Sequence, residues 1–262
     1  MWEGEAMSSP TGPIEGPRQG LSSIPPSAGR AHAGDPVPSA RHRDISRRHR
    51  HPPATSTERR TDMPGLPPPA ADERQTLIEF LAFAQNAFFA VAYGLTDDQA
   101  RSTPSASALS IGALVKHAAG VQKGWTDRVA YAPEFPPKDD RPLEQIMAEY
   151  ADQYVMGDQE TLDGLLEALR AQNAETLRVF RKADLSTPVP IPPEVPWFPK
   201  DISHWDVRWV GMHLIEELNR HAGHADIIRE SIDGATMYEL MAAHEQWPET
   251  DYVKPWRPRV TP

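Results

Sequence analysis

Apolar residues recur at three- and four-residue steps in four separate stretches of this 262-residue chain, and this spacing limits its fold more than any other feature. Such steps place apolar side chains along one face of an α-helix. They predict long helices over residues 71–93, 110–131, 159–180 and 207–231. Shorter helical patterns cover residues 143–154 and 236–246, and no β-alternating run of comparable length accompanies them. The sequence therefore predicts an all-α domain.

Prolines and capping residues mark where the predicted helices begin and end. Ser110 is the predicted N-cap of the second long helix, and Pro133 closes that helix. Residues 188–199 hold six prolines in twelve residues, so we expect this segment to be irregular. Residues 203–206 have the Ser-x-x-acid form of a capping box, which predicts an entry to the last long helix. The simplest architecture is a four-helix bundle with one long Pro-rich crossover before its last helix.

The first 62 residues differ in composition from the rest of the chain. They include nine prolines, nine Lys or Arg and seven Asp or Glu, with almost no aliphatic periodicity. Such a segment cannot bury enough apolar surface to offset the entropy lost on ordering, so residues 1–62 are predicted to be disordered. Met63 is an alternative point at which translation could begin. The predicted helical domain covers residues 63–262 and ends in a Pro-rich tail.

Charge and residue types exclude several classes of function. The basic cluster at residues 41–60 lacks interleaved aromatic residues, and residues 63–262 carry 18 Lys or Arg against 30 Asp or Glu. This acidic balance argues against a nucleic-acid or anionic-membrane partner. The chain has no run of 18 apolar residues and no apolar signal-peptide core, so we expect a cytoplasmic protein. Without cysteine, any chemistry depends on other side chains, a metal ion or an external thiol.

The last predicted long helix carries His and Glu along one face, within MHLIEELNRHAGHAD at residues 212–226. His213, Glu217, His221 and His224 follow one another at spacings of four, four and three, which confines them to a sector of about 80°. Apolar residues flank this sector on both sides, so it is predicted to face the interior. A buried carboxylate is costly unless paired, and a divalent cation suits Glu with His. Glu217 and His221 could therefore ligate one ion together.

A further ligand would have to come from another helix. His117 borders the apolar face of the second long helix, from which a side chain can lean into the bundle. From spacing alone, a hydrogen-bonded core histidine and an exposed Glu–His pair without metal stay open as alternatives. We expect His213 and His224 to lie near the metal or face solvent rather than ligate it. We expect His204 and His244 to be surface residues near helix ends.

These motifs resemble the DinB-like superfamily of metal-binding four-helix bundles, over about residues 72–240. Its members combine a histidine in the second helix with His-or-Glu-x-x-x-His on the fourth, matched here by His117 and by Glu217 with His221. Glu in the first position is the version seen in mycothiol-dependent maleylpyruvate isomerase. The longer run HLIEE…RHAGHAD…RE..DG, from His213 to Gly234, is similar to the mycothiol S-transferase-like branch. The resemblance implies that His117, Glu217 and His221 form a facial metal triad.

The resemblance also implies a metal-dependent thiol transferase. Three protein ligands would leave open positions on a divalent ion, expected to be Zn²⁺. A low-molecular-weight thiol, expected to be mycothiol, would be activated there as the thiolate and attack an electrophile. His224 and His213 are the predicted catalytic residues, as ligand-orienting or proton-relay groups. Arg220 and Arg229 flank the stripe and could pair with a substrate carboxylate, but surface ion pairing is the more ordinary use of both.

Other functions fit the same residues. A metal-dependent hydrolase would use a metal-bound water in place of the thiol. A non-catalytic bundle would hold a metal or a small ligand without turnover, and a purely structural His/Glu cluster would bind no metal. The expected partners are a small-molecule substrate and the thiol, with a homodimer as an open alternative. Trp247, Trp256 and the Pro-rich tail could cover either the bundle or a neighbouring subunit.

Overall fold

The computed structural model describes residues 65–195 and 197–258, and these residues are mostly helical. The all-α prediction is confirmed at this level. In chain order the described elements are α1 (Glu73–Ala92), α2 (Asp97–Arg101), α3 (Ile111–Tyr131), α4 (Leu143–Asp152), α5 (Leu162–Lys182), β1 (Pro188–Pro190), β2 (His204–Asp206), α6 (Val207–Asp233) and α7 (Met237–His244). The predictions of disorder over residues 1–62 and of a translation start at Met63 lie outside the described residues.

The four long helices contribute to one large apolar cluster. Helix α1 packs against α5 and α6, and α3 packs against the same two helices. Each contributes buried side chains from its predicted apolar stripe, such as Leu81, Leu114, Leu169 and Leu214. Burying one leucine of this kind stabilises the fold by about 1.5–3 kcal/mol. The core therefore holds α3 and α6, which carry the candidate site, side by side.

Helix α1 is also long and apolar enough to cross a membrane by length and composition. Its most apolar 18-residue window has a mean hydropathy of 1.2, and half of that window is buried inside the fold. Core helices of soluble proteins meet the same criterion when they are buried on one side, and the apolar face of α1 packs on α5 and α6. The hydropathy of α1 is therefore that of a core element.

Capping residues fix the ends of the two helices that carry the site. Ser110 is the N-cap of α3, as predicted, and its Oγ accepts a hydrogen bond from the Ala113 amide at 3.1 Å. Asp206 is the N-cap of α6, and its Oδ1 accepts from the Trp209 amide at 2.7 Å. Gly234 caps the C-terminus of helix α6, and its φ of 76° is the left-handed conformation that glycine adopts at low cost. These caps fix where α3 and α6 begin and where α6 ends.

The Pro-rich segment is not wholly irregular, which corrects the prediction made for residues 188–199. Strand β1 pairs antiparallel with β2, and Val189 lies opposite Trp205. A sheet of two strands leaves an outer edge on each strand, where prolines, which lack an amide hydrogen, are tolerated. The capping box predicted over residues 203–206 is also wrong, because residues 204–206 form β2 and Asp206 is the N-cap.

Arg229 joins the end of α6 to the end of α1. Its side chain is fully buried and donates hydrogen bonds to the carbonyl oxygens of Val91 and Tyr93, at 2.6 and 2.9 Å. Asp233 pairs with it at 2.9 Å. Trp256, from the C-terminal segment, covers the guanidinium at 4.8 Å. The expectation of a surface ion pair at Arg229 is therefore wrong, because its partners lie inside the fold.

Candidate metal centre

His117, Glu217 and His221 meet between α3 and α6. His117 is 5% exposed, whereas Glu217 and His221 are half-buried. One ligand atom from each residue lies within 4.8 Å of the other two. The carboxylate Oε1 of Glu217 is 3.5 Å from Nε2 of His117 and 3.3 Å from Nε2 of His221. A single carboxylate oxygen thus faces two imidazole nitrogens.

Helix geometry accounts for this meeting. Glu217 and His221 are four residues apart, about one turn, so their side chains project from the same face of α6. Leu218 of α6 and Ala118 of α3, each next to a member of the group, are completely buried. The apolar faces that bring α3 and α6 together therefore also turn His117 towards the carboxylate. The structure brings together the three residues that the sequence predicted as a metal triad.

The charge state of this group favours a cation. The imidazoles of His117 and His221 hold the pKa of Glu217 well below its usual range, although burial opposes them. The carboxylate is therefore ionised at neutral pH. Neither ring nitrogen of His117 has a hydrogen-bond partner among the described residues, and 3.5 Å is too long for a well-formed bond to Glu217. Leaving a buried polar atom unpaired costs about 1–3 kcal/mol. Two imidazole nitrogens and a carboxylate oxygen are a donor set suited to Zn²⁺.

The sequence comparison agrees with this geometry. The sequence model of the Mycothiol-S-transferase family matches residues 76–234, which include all three members of the triad. This chain belongs to the Mycothiol-S-transferase family. The family is DinB-like, so the resemblance predicted from the sequence is confirmed.

The other comparisons add little to this assignment. No curated protein matches the chain. A solved structure similar to it is a crystal structure of a conserved protein from Enterococcus faecalis, 19% identical, covering 63% of this chain and 100% of that one with a TM-score of 0.42. The assignment therefore rests on the family match.

The two residues predicted to be catalytic in this Mycothiol-S-transferase family member lie outside the group of three. His213 stacks on Trp209, with ring centroids 5.2 Å apart, and meets Trp125 edge-on at 4.8 Å. His224 lies nearly one turn beyond His221 and is half-buried. Burial, with a smaller contribution from His221, lowers the pKa of His224. His224 is therefore neutral at pH 7.

The remaining predicted residues occupy less central positions. His204 is exposed in β2, and its Nδ1 lies 3.0 Å from the Ser203 hydroxyl. His244 ends α7 but is half-buried and stacks on Phe89 at 6.1 Å, so its predicted place at the surface holds only in part. Arg220 is exposed and lies 3.6 Å from Glu216. Both Arg220 and Arg229 are thus engaged elsewhere, one at the surface and one in the core.

Tyr154 touches the site but was missed by the sequence reasoning. It follows α4 and stacks on His117, with ring centroids 4.7 Å apart and planes at 27°. Its hydroxyl lies 3.1 Å from the hydroxyl of Tyr150, and burial raises the pKa of Tyr154. The only signal in the sequence is a pair of tyrosines four residues apart at the end of a short helical pattern. In this Mycothiol-S-transferase family member, the ring of Tyr154 lies over His117, a candidate metal ligand.

A cluster of aromatic rings adjoins the site along α6. We call it the aromatic cluster, and its members are Trp125, Phe198, Trp205, Trp209 and His213. Trp205 stacks on Trp209 at 4.9 Å, and Trp125 contacts both. The guanidinium of Arg128 lies 5.7 Å from the ring centres of Trp125 and Phe198. The cluster joins α3, β2, α6 and the segment between the two strands, which helical periodicity does not connect.

Proposed function

We propose that this protein is a metal-dependent thiol transferase that activates a low-molecular-weight thiol, mycothiol, for attack on an electrophile. The observation that carries the proposal is the buried ring of His117: neither of its nitrogens has a hydrogen-bond partner among the described residues, and its Nε2 faces the carboxylate oxygen that Nε2 of His221 also approaches. Three ligands from two helices leave coordination positions open, as in catalytic rather than structural metal sites. Membership of the Mycothiol-S-transferase family supports mycothiol as the thiol.

The finer architecture belongs to the same proposal. Helices α1, α3, α5 and α6 form a four-helix bundle of the DinB type, and the Pro-rich segment between α5 and α6 is its crossover. This arrangement is supported by the packing of α1 and α3 on both α5 and α6. It places one ligand on the second bundle helix and two on the last. The site therefore depends on the pairing of two helices that are distant in sequence.

The chain's residues suit thiol chemistry. A Zn²⁺ ion held by the triad would bind the thiol sulfur and lower its pKa, so that the thiolate is present at neutral pH. Glu217 is ionised and offsets part of the ion's charge. Tyr154 covers one face of His117 and keeps water from that side. Because the chain has no cysteine, the reacting sulfur comes from outside.

The two histidines beside the triad would have further roles. His224, neutral at pH 7, would accept the proton that the thiol loses, and His213 would orient the substrate from the aromatic cluster. The proposed partners are the thiol and a small-molecule electrophile in the cytoplasm, without nucleic acid or a membrane.

Metal content is the first test. Elemental analysis of the full-length protein should find about one equivalent of Zn, and a Glu217→Ala, His221→Ala double variant should lose it. His204→Ala is the matched control, because His204 is exposed and distant from the triad in the chain. Absence of bound metal from the wild-type protein, even after incubation with Zn²⁺, would overturn the proposal.

Thiol dependence separates the remaining functions. Loss of 1-chloro-2,4-dinitrobenzene, a model electrophile, should require both the metal-loaded protein and mycothiol. For hydrolysis, a panel of model esters should be consumed equally with and without the thiol if the protein is a hydrolase. A protein that binds metal but consumes neither the electrophile nor the esters would be a metal-binding bundle without catalytic turnover.

A further inference from the structure

Arg128 is a half-buried cation that lies beside two aromatic rings. Its guanidinium carbon lies 5.7 Å from the ring centres of both Trp125 and Phe198. Burial lowers the pKa of Arg128. The negative charge of Glu194 opposes this lowering, and it acts through charge alone. No ion pair to Arg128 is formed within residues 65–195 and 197–258. The cation therefore keeps its hydrogen-bond donors available.

This state sets Arg128 apart from comparable arginines. In the described part of the chain, every other buried or half-buried arginine donates to a backbone carbonyl or a carboxylate. These are Arg74, Arg101, Arg208 and Arg229. Even partial removal of a charged group from water is costly without such partners. Two aromatic faces recover part of that cost, but they leave the in-plane donors of the guanidinium without acceptors.

The aromatic cluster connects Arg128 with the candidate metal centre. Trp125 contacts both Arg128 and His213, and His213 lies one turn before Glu217 on α6. Along α3, Trp125 is about 12 Å and Arg128 about 16 Å from His117. An arginine side chain on a helix leans back towards the N-terminus, which brings the charge nearer to the site. The separation between guanidinium and triad is therefore roughly 10–15 Å.

An exposed aromatic ring lies between these two ends. Trp209 is 42% exposed, although it is a large apolar residue and contacts both Trp125 and His213. Binding sites for small molecules are lined mainly by apolar and aromatic groups, with few polar groups that fix the orientation. Here the polar groups are the triad at one end and Arg128 at the other. A planar guanidinium binds a carboxylate with two parallel hydrogen bonds.

We propose that Arg128 and the aromatic cluster form a subsite for a substrate with an apolar, ring-bearing body and a carboxylate. The carboxylate would pair with Arg128, and the body would lie along Trp125 and Trp209. The reactive carbon of the substrate would then face the triad. This orientation of the substrate rests on the proposed thiol transfer. The binding itself requires no metal.

The test uses two probes of the same shape, 2-naphthoate and 2-naphthalenemethanol. Affinities are measured by titration calorimetry on the full-length Glu217→Ala, His221→Ala variant, so that a carboxylate cannot bind through the metal. We expect naphthoate to bind about tenfold more tightly than the alcohol, since hydrogen bonds to charged groups exceed neutral ones by about that factor. Adding Arg128→Gln should abolish the preference, and Arg128→Lys should retain part of it.

Two further variants make the test specific. Glu194→Gln removes a negative charge that would repel the carboxylate of naphthoate. It should therefore tighten naphthoate binding about twofold without changing the affinity for the alcohol. Arg178→Gln is the matched control, because Arg178 is exposed on α5 and pairs with Glu175. Equal affinity for the two probes, or a preference that survives Arg128→Gln, would overturn the subsite. An Arg128-dependent preference in a protein that transfers no thiol would leave the subsite standing and remove the proposed function.

Discussion

Oε1 of Glu217 lies 3.3 Å from Nε2 of His221, one turn further along the same helix. This pair is set by helix geometry alone, whereas the 3.5 Å approach of His117 depends on how α3 packs against α6. A metal ion bound by all three residues would therefore link the two helices as well as fill the site. Ion binding and folding are coupled in this way whenever the unfolded chain offers no preformed site.

Glu217→Gln should lower Zn²⁺ affinity by more than about 100-fold, because even residues that only support ligands contribute 10- to 100-fold. The substitution keeps the shape of the side chain and removes its charge. Competition with a chromogenic chelator measures the affinity, and His117→Ala should show a loss of similar size. Unchanged affinity in either variant would remove that residue from the triad. Zn²⁺ should also raise the Tm of the wild-type protein and leave that of Glu217→Gln nearly unchanged.

Tyr154→Ala should release Zn²⁺ about tenfold faster, because the ring that covers His117 is lost. Tyr154→Phe keeps the stacked ring and removes only the hydroxyl that faces Tyr150, so it should release the ion at nearly the wild-type rate. Stopped-flow mixing of Zn-loaded protein with excess chelator gives both rates. Equally accelerated release from both variants would assign the role to the hydroxyl, and release at the wild-type rate from Tyr154→Ala would remove Tyr154 from the site.

Asp226→Asn should stabilise the protein at pH 7. Burial, helped by the charge of Glu230, raises the pKa of Asp226 from 3.8 to about 6. The folded state therefore binds more protons than the unfolded state between these values, and stability falls as the pH rises through this window. With allowance for partial exposure, the ionised carboxylate costs about 1–2 kcal/mol above pH 6. Urea unfolding at pH 7 and at pH 4 should show this gain at pH 7 and almost none at pH 4. A gain of the same size at both pH values would contradict the assignment.

Asp233→Ala should destabilise the protein by about 3 kcal/mol, because it leaves the fully buried Arg229 without its counter-charge. Glu216→Ala removes the partner of the exposed Arg220 and should cost less than about 1 kcal/mol. Denaturant unfolding compares the two variants. Similar losses would mean that the backbone carbonyls of Val91 and Tyr93 compensate for the missing carboxylate.

The sequence predicted the triad because its residues obey local rules. Glu217 and His221 share a face by spacing, and flanking leucines show that this face turns inward. The sequence also places His117 at the border of an apolar stripe. The prediction of the triad then needed only one further assumption, that the helix of His117 packs against the helix of Glu217 and His221. That pairing follows from their apolar faces and from the family resemblance.

Other features depend on tertiary contacts that the periodicity of the sequence does not predict. By helical spacing Arg229 falls among the apolar residues of α6, and its acceptors at Val91 and Tyr93 lie far away in the chain. Strand β1 has only three residues, two of them proline, and it exists because β2 pairs with it. The surroundings of Arg128 include Phe198, which reaches α3 from outside the helices. Each of these features requires the tertiary fold.

Phe198 lies in the segment between β1 and β2, whereas the candidate metal ligands lie on α3 and α6. Loops of this kind tolerate substitution, insertion and deletion far better than packed helices do. Changes in the length or sequence of this segment could thus alter which substrates are accepted while the ligands stay in place. Within a lineage, reactivity and selectivity would be free to evolve at different rates.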